Sequence, residues 1–531
     1  MVSFLARFFI LSFFLISLGC QPAQPKLEMP IAKAPAESAA GLDLRDRVRR
    51  LTLDNGLRVL LLKRGVAPVF SVQIKVTVGG IEEEPGTSGL AHFFEHMAFK
   101  GTEQIGTLDY GKEKPILDEL EIIGTQVSEL RRASQGTLKD EDPKLKPLLD
   151  KLADLQNQAA AFANKNEFVE IFQRNGGADL NASTSNDYTT YYVSLPANKL
   201  ELWAYLESTR LRDRVLREFF SEIAVVREER RMRYDNSPDG LLYEALNNTA
   251  FSKSPYRVPV IGYANDIPLY TPAVARAFYK KYYVPARMVI SMVGNFDVDQ
   301  AETLIRKYFS RLPKGENPID DFPKEKLEDY PRTVTIKGKE KSRFYLAYHR
   351  PAHPDPDDII MDVAQSVLCE GRTSRLYKRL VLQEKKVASV DCYASIPGAR
   401  LDSLFTFYAI PLAEHTNQEI AADIRLEVKK LMEEGPDDKE LQIVKNNFDA
   451  DLIYSLDSNE GLASKLAFYE SLTGDWQYLY ELQKRIHSIT AADVQRVLKT
   501  YFVPGREVLA AFEQDIDEDK LKTKSSQGGA L

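Results

Sequence analysis

The spacing of hydrophobic residues beyond residue 45 alternates between the period typical of β-strands and the period typical of α-helices. Asp54-Asn55-Gly56, between two apolar runs, is a strong hairpin signal. Thr87 or Ser88 is the candidate cap of the first helix. The predicted elements are strands at 48–53, 57–63, 69–78, about 179–185 and about 188–195, a helix ending at Phe99, and helices at about 197–213, 216–236 and 239–250.

Residues 115–165 have a different pattern, in which apolar side chains recur every three or four positions. Such spacing places them on one face of a helix. The pattern is interrupted at 134–143 and then resumes, which indicates a helical hairpin inserted into the first domain. Its apolar positions are Ile116, Leu120, Ile123, Val127 and Leu130, then Leu148, Leu149, Leu152 and Leu155.

An internal repeat indicates two related domains. Residues 271–290 and 490–509 align without a gap, and each copy predicts a helix, a proline-containing turn and a strand. Both copies close a segment in which strands come first and long helices later. We therefore predict an α+β fold of two homologous domains, each a mostly antiparallel sheet packed against helices, with the helical hairpin inserted in the first.

The predicted boundaries follow from these elements and from local composition. A segment rich in Pro, Asp, Glu and Lys predicts an interdomain linker at 311–331. The domains are then 45–310 and 332–515, and residues 516–531 are a polar tail.

The first 44 residues are predicted to direct export. An apolar run at 8–18 follows Arg7, and it is too short to span about 30 Å of hydrocarbon but suits a signal peptide at 1–20. Gly19-Cys20 resembles the lipobox of bacterial lipoproteins, although Ser17 stands where that motif usually has Leu. Residues 21–44 predict a flexible tether. We expect a periplasmic lipoprotein held at the outer membrane through lipidated Cys20; a plain cleaved signal is the alternative.

Charge and composition reduce the number of possible functions further. The chain has 70 Lys and Arg against 77 Asp and Glu, a net charge of −7, which argues against a nucleic-acid binder. A chain that is 44% hydrophobic and 28% charged is ordinary for a globular protein. Cys369 and Cys392 are interpreted as buried apolar residues, although export allows a disulfide between them.

Candidate chemistry lies on the first predicted helix, in His92-Phe93-Phe94-Glu95-His96. Residues four apart on a helix point the same way, so His92 and His96 can share a metal ion, and Glu95 lies on the same face. H-x-x-E-H is the inverse of the common zinc-protease motif. The alternative is a core-facing helix whose histidines only form hydrogen bonds.

A tetrahedral zinc site still needs a third protein ligand and an open position for water. The helix predicted at 219–233 offers Glu222, Glu228 and Glu229. At about 100° per residue, Glu222 and Glu229 lie within about 20° of each other, whereas Glu228 points elsewhere. Spacing alone leaves the choice within that pair open.

Several segments together resemble the insulinase/pitrilysin family of zinc metallopeptidases, the M16 type, in its two-domain bacterial form. The resemblance extends over about residues 45–515, and the motifs stand in the family's order. The matching segments are 89–102 around H-x-x-E-H, Gly176-Gly177 with Asn181-Ala182-Ser183-Thr184, 187–192, and 225–233.

The resemblance implies roles for these residues. One zinc ion per chain would be bound by His92, His96 and Glu229 in the first domain. Glu95 would be the general base, and Glu222 would support the site. An exposed edge strand would pair with the backbone of an extended peptide substrate through Asn181, Ala182, Ser183 and Thr184.

Two features depart from the family pattern. His96 and Glu229 are 133 residues apart, more than is usual, and the insertion at 115–165 is about the size of the excess. In the second domain, Leu382 and Ser389 stand where active members often carry an Arg and a Tyr that hold substrate. In some family pairs one chain supplies zinc and the other supplies Arg and Tyr, so we expect a second M16-like chain as partner; a homodimer is the alternative.

The resulting hypothesis is a zinc-dependent endopeptidase that hydrolyses short or unfolded peptides by metal-activated water with Glu95 as base. The alternative is a non-catalytic peptide-binding or structural member of the same fold. The complete set of three ligands and Glu95 favours the enzyme, because a scaffold has no need of a base beside a metal site.

Overall fold

The computed structural model describes residues 44–134 and 137–515. The predicted signal peptide with Cys20, the tether up to residue 43 and the C-terminal tail lie outside these residues, so the expectations for them stay predictions. Within the two described ranges, no helix combines the length and the apolar character needed to cross a bilayer.

The first half of the chain contains six strands and nine α-helices in the described residues. The strands are β1 Arg49–Thr52, β2 Arg58–Lys63, β3 Val69–Val76, β4 Ala178–Thr184, β5 Thr189–Pro196 and β6 Met288–Gly294. The helices are α1 Leu90–Met97, α2 Tyr110–Ala133, α3 Lys146–Ala160, α4 Glu167–Arg174, α5 Leu200–Arg212, α6 Phe219–Arg230, α7 Pro238–Ala250, α8 Pro272–Tyr282 and α9 Val298–Phe309.

The second half, up to residue 515, adds five strands and six α-helices. The strands are β7 Arg332–Gly338, β8 Arg343–Arg350, β9 Val387–Ile396, β10 Ser403–Pro411 and β11 Val508–Gln514. The helices are α10 Asp358–Cys369, α11 Asn417–Glu434, α12 Asp438–Asp457, α13 Asn459–Thr473, α14 Tyr478–Ser488 and α15 Ala491–Tyr501.

The two sheets repeat one topology, with strand orders β1-β2-β6-β3-β5-β4 and β7-β11-β8-β10-β9. In each sheet the strand that closes the repeat pairs parallel to one neighbour and antiparallel to the other: β6 with β2 and β3, β11 with β7 and β8. The helices that precede these strands are both capped by a threonine side chain, Thr271 and Thr490. The predicted α+β fold of two homologous domains is confirmed.

Each half lends a helix to the other half's sheet. Helix α13 packs on β3 and β6, and helix α7 packs on β11 and β7. Because one face of each sheet is covered from the opposite half, the hydrophobic cores continue across the boundary between the halves. The core of the second half accordingly includes four residues of the first sheet, namely Leu60, Leu62, Val289 and Val293.

The helical hairpin formed by α2 and α3 packs against α6. Leu120, Leu152 and Leu155 form a small apolar cluster that the ring of Phe220 on α6 joins. Gly124 is required at this contact, since a Cβ there would overlap the Phe220 ring. The hairpin therefore rests on the outside of a helix that carries candidate metal ligands.

The predicted cap of α1 is wrong. The N-cap is Gly89, in the left-handed conformation with φ of 90°. Both oxygens of the Glu83 carboxylate accept hydrogen bonds from the helix terminus, from the N–H of Gly89 at 2.6 Å and of Ala91 at 2.8 Å. Thr87 and Ser88 bond elsewhere. A carboxylate six to eight residues upstream thus takes the place of a Ser or Thr cap. The usual capping pattern considers only residues next to the helix terminus and therefore does not detect it.

Cys369 and Cys392 are paired in a disulfide, contrary to their interpretation as unpaired buried residues. Their Cα atoms are 5.6 Å apart, in the usual range for a disulfide. The bond joins the last residue of α10 to the edge strand β9. It therefore fixes a helix to a strand within the second half.

The disulfide should contribute about 3 kcal/mol, because it closes a loop with a sequence separation of 23 residues. The double variant Cys369→Ser, Cys392→Ser should unfold at a temperature several degrees lower than the oxidised protein. Calorimetry with and without reductant tests this, since reductant should lower the wild-type midpoint to that of the variant and leave the variant unchanged. Labelling of Cys369 and Cys392 by a thiol reagent in unreduced, unfolded wild-type protein would contradict the pairing.

Candidate metal centre

Two helices, α1 and α6, carry the candidate metal ligands and are joined by aromatic packing. Phe93 of α1 contacts Phe219 of α6, with ring centroids 4.9 Å apart. Phe94 packs in the same core against Phe278 of α8. Because this packing holds α1 in place, the helix face that carries His92 and His96 is kept toward α6.

The ligand atoms of His92, His96 and Glu229 all lie within 4.8 Å of one another. Glu229 Oε2 is 3.7 Å from His92 Nε2 and 3.4 Å from His96 Nε2. Zinc bonds of about 2.0–2.2 Å would place tetrahedral ligand atoms roughly 3.3–3.6 Å apart. Two imidazole nitrogens and a carboxylate oxygen at this spacing fit a zinc ion.

The two remaining glutamates of α6 differ in their contacts. Glu222 Oε1 is 2.8 Å from His96 Nδ1, and its other oxygen is 2.6 Å from Lys100 Nζ. A carboxylate on the second nitrogen of a metal-binding histidine fixes the orientation of the ring. Glu228 instead pairs with Arg231 and is half exposed. The structure thus places Glu229 among the ligand atoms and Glu222 behind His96.

The ionisable side chains of the cluster shift one another's pKa values. Burial opposes the charged form of His96, but hydrogen bonds to Glu222 and Glu229 outweigh this effect and raise its pKa to about 9. Burial, with the neighbouring His96, lowers the pKa of His92 to about 4. Burial would raise the pKa of Glu229, yet the hydrogen bond from His96 and nearby positive charges lower it to about 2. Without metal, a proton on His96 supplies positive charge that a bound divalent ion would replace.

Glu95 lies beside this cluster and is held by one hydroxyl group. Thr184 Oγ1 donates to Glu95 Oε2 at 2.6 Å. Burial raises the pKa of Glu95, although the bond from Thr184 offsets part of the effect. A raised carboxyl pKa moves the group toward the range in which it can both take and return a proton.

The candidate substrate strand β4 lies at the edge of the first sheet, where β5 is its neighbour. Asn181 and Ser183 are exposed, Ala182 is buried and Thr184 is partly buried. The N–H of Ala182 donates to Asn181 Oδ1 at 2.9 Å, so a side chain accepts from this backbone amide.

Sequence reasoning missed three features around the centre. Lys100 bridges Glu222 and Glu218, and Arg233 contacts Glu229 at 3.0 Å. Lys100 follows His96 by four residues, just beyond the end of α1, and Arg233 follows Glu229 by four residues, so charge spacing was an available signal. A pocket of about 290 Å³ also opens beside Glu95, and 163–168, after the inserted hairpin, forms part of its wall. No local pattern indicates that pocket.

The two halves of this α+β chain match two models of one family. The family model described as Insulinase (Peptidase family M16) matches residues 58–128 and 148–263, and the model described as Peptidase M16 inactive domain matches residues 270–448. Together these matches cover more than half of the chain. The chain therefore belongs to peptidase family M16.

Two of the relatives are bacterial proteins named as zinc proteases. Zinc protease PqqE of Helicobacter pylori is 28% identical over 462 residues, which are 85% of this chain and 89% of PqqE. Probable zinc protease PqqL of Escherichia coli is 24% identical over 425 residues, 77% of this chain but 39% of PqqL.

Solved structures agree with the fold. A protease from Helicobacter pylori superposes with a TM-score of 0.72 at 26% identity, covering 88% of this chain and 99% of the other. The periplasmic protease PqqL from Escherichia coli superposes with a TM-score of 0.64 at 21% identity, covering 90% of this chain and 48% of PqqL. At that identity, the second likeness concerns the fold alone.

Proposed function

We propose that this chain is a zinc-dependent endopeptidase that hydrolyses short or unfolded peptides. The proposal rests on one observation, the convergence of His92, His96 and Glu229 with Glu95 beside them. The relatives named as zinc proteases support it. The match to the inactive-domain model covers residues 270–448, which contain none of these four residues, so it does not favour a non-catalytic protein.

The proposed roles follow from the contacts of each side chain. Zinc, when held by the two histidines and Glu229, would lower the pKa of water toward about 7 and polarise the scissile carbonyl. Glu95 accepts a proton from the attacking water and passes it to the leaving amine. Thr184 holds one oxygen of Glu95 and leaves the other for this transfer. Glu222 keeps the ring of His96 oriented.

Substrate binding is proposed along the edge strand, at Asn181, Ala182, Ser183 and Thr184. An edge strand offers backbone N–H and C=O groups to an extended peptide, and main-chain hydrogen bonds carry little sequence information. The preference for residue type should therefore be broad. Folded proteins should resist cleavage, because their segments are not free to extend along β4.

A second M16-like chain is the proposed partner. In the described chain, Leu382 lies in the π-helical segment Tyr377–Gln383 and is 41% exposed, while Ser389 lies on β9. Neither side chain can replace the hydrogen bonds of an Arg and a Tyr. PqqL is more than twice the length that this chain matches, in keeping with two such units acting together. We propose a heterodimer with an Arg/Tyr-bearing chain, with a homodimer as the other arrangement.

Export and lipid attachment at Cys20 complete the proposal. The disulfide between Cys369 and Cys392 suits an oxidising compartment such as the periplasm. PqqL is described as periplasmic. We place the protein in the periplasm, held at the outer membrane.

Removal of the metal tests the function directly. The purified protein should contain about one zinc per chain, and 1,10-phenanthroline should reduce cleavage of an unstructured peptide at least a hundredfold. Stoichiometric zinc should restore cleavage, while the non-chelating isomer 1,7-phenanthroline should have no effect. The assay is run with the chain alone and with the native assembly recovered from membranes. Cleavage by metal-free protein, or zinc-loaded assembly without peptidase activity, would contradict the proposal.

A further inference from the structure

The tip of the β9–β10 hairpin, residues 397–402 and here called the hairpin tip, inserts from the second half into the first. Its main anchor there is Asp187, which is 4% exposed. The Asp187 carboxylate accepts hydrogen bonds from Ala399 N at 2.7 Å and from Tyr256 Oη at 2.6 Å. A Cβ at Gly398 would lie 2.6 Å from this carboxylate, so the close approach requires glycine.

Arg400 extends this contact to three acceptors of the first half and the linker. Its Nη1 donates to Glu82 Oε1 at 2.8 Å and to the backbone oxygen of Asp187 at 3.0 Å. Its Nη2 donates to Asp320 Oδ2 at 2.8 Å. The fixed fork of a guanidinium can serve these acceptors at once, which a lysine ammonium at the end of a flexible chain cannot do with the same geometry.

Glu82 connects Arg400 to the start of the metal-binding helix. Its other oxygen accepts from Gly79 N at 2.8 Å. The next residue, Glu83, accepts hydrogen bonds from the first N–H groups of α1. The residue that receives Arg400 therefore adjoins the residue that fixes the terminus of the helix carrying His92, Glu95 and His96.

Asp187 connects the same hairpin tip to the general base. It lies in the turn after β4, three residues beyond Thr184, whose hydroxyl holds Glu95. That turn is also bonded to the segment before α1, through Gly80 N to Ser185 O at 3.2 Å and Ile81 N to Asn186 O at 3.0 Å. The segments on both sides of Glu95 are thus bonded to each other and to one element of the second half.

We infer that Arg400 and Asp187 are positioning residues, through which the second half of the chain sets the geometry of Glu95. Neither is a proposed ligand or base, so each acts through the segments that carry those groups. The inference rests on the proposed peptidase function. The half that matches an inactive-domain model would then be a working part of the active site in the same chain.

The test compares Arg400→Ala with Arg343→Ala in the full chain. Arg343 also bonds across the two halves, to Asp239 at 2.8 Å, and its side chain is 13% exposed against 11% for Arg400. Arg400→Ala should lower kcat about tenfold or more, with KM and zinc content within about twofold of wild type, because displaced catalytic groups slow chemistry without removing the binding strand. Arg343→Ala should change kcat less than about twofold, whatever it does to the melting temperature.

Two further measurements separate positioning from general damage. Methylguanidinium at millimolar concentration should restore part of the kcat of Arg400→Ala by refilling the position between Glu82 and Asp320, and should leave the kcat of Arg343→Ala unchanged, since Arg343 bonds to Asp239 and not to the segments beside Glu95. Arg400→Lys should be intermediate and serves if the alanine variant does not fold. Equal kcat in Arg400→Ala and Arg343→Ala, or a loss explained entirely by KM or by lost zinc, would overturn the inference.

Hydrogen exchange provides a readout that does not depend on activity. Amides at 79–91 and 184–188 should exchange faster in Arg400→Ala than in wild type, and should be unchanged in Arg343→Ala. If exchange changes as expected while zinc-loaded wild type cleaves no peptide, the peptidase function fails and the coupling stands. If wild type is active and exchange at these segments is unchanged, the coupling fails and the function stands.

Discussion

Replacing Glu95 by Gln should abolish peptide cleavage and leave about one zinc per chain in place. Glutamine has nearly the size of glutamate. It can still contact the Thr184 hydroxyl, which lies 2.6 Å from Glu95 Oε2 in the wild-type protein. It cannot accept the proton of the attacking water, and general-base catalysis is typically worth about 10²–10⁴-fold. We expect kcat to fall by about a thousandfold, measured on an unstructured fluorogenic peptide, with zinc measured by plasma emission on the same sample.

The result for zinc is as informative as the result for turnover. Glu95 is bonded to Thr184 and is not among the three clustered ligand residues. Its neutral replacement should therefore keep the metal and the melting temperature near wild type. If Glu95→Gln lost its zinc, or retained more than about a tenth of wild-type kcat, the role of base would belong to another group.

The inserted hairpin does not separate the proposed metal ligands, because it packs on the other face of α6. Phe220 receives the hairpin, while Glu222 and Glu229 face α1. Although 133 residues separate His96 from Glu229, their ligand atoms are 3.4 Å apart. A domain can accept such an insertion when it docks on the outside of a helix whose inner face is already fixed by the core.

The sequence predicts the features of the fold and of the candidate site that local periodicity or a repeated segment determines. The i, i+4 spacing of His92 and His96 places both on one helix face, and the two copies of the helix–turn–strand segment give sheets of one topology. Family resemblance selected Glu229 from a pair that helical geometry left open, and the structure groups Glu229 with His92 and His96.

What could not be predicted depends on contacts between distant segments. Glu83 caps α1 from outside the usual capping window, and Cys369 pairs with Cys392 across a helix and a strand. Arg400 contacts Glu82 from 318 residues away. The composition near Arg400 and near Glu82 gives no sign of their contact. The two residues meet only after each half has packed a helix on the other half's sheet and the loops have come together.

The geometry of the metal centre makes its sharpest prediction at Glu229. Glu229→Gln should weaken zinc binding by more than the roughly 10–100-fold that removal of an outer partner such as Glu222 typically costs, because a direct ligand is lost. The protein should be isolated with much less than one zinc per chain and should cleave peptide at a small fraction of the wild-type rate. Competition with a chromogenic zinc chelator measures the affinity, and circular dichroism checks the fold.

The matched control is Glu228→Gln, the same change one residue earlier on the same helix. Glu228 is half exposed and pairs with Arg231, so its loss should leave zinc affinity and turnover within about twofold of wild type. Glu229→Gln should also fold normally, since its partner Arg233 is 62% exposed and is not left as a buried unpaired charge. If both variants kept zinc equally well, α6 would not supply the third ligand through Glu229. The two imidazoles and the carboxylate would then only form hydrogen bonds between α1 and α6 and would not be a metal centre.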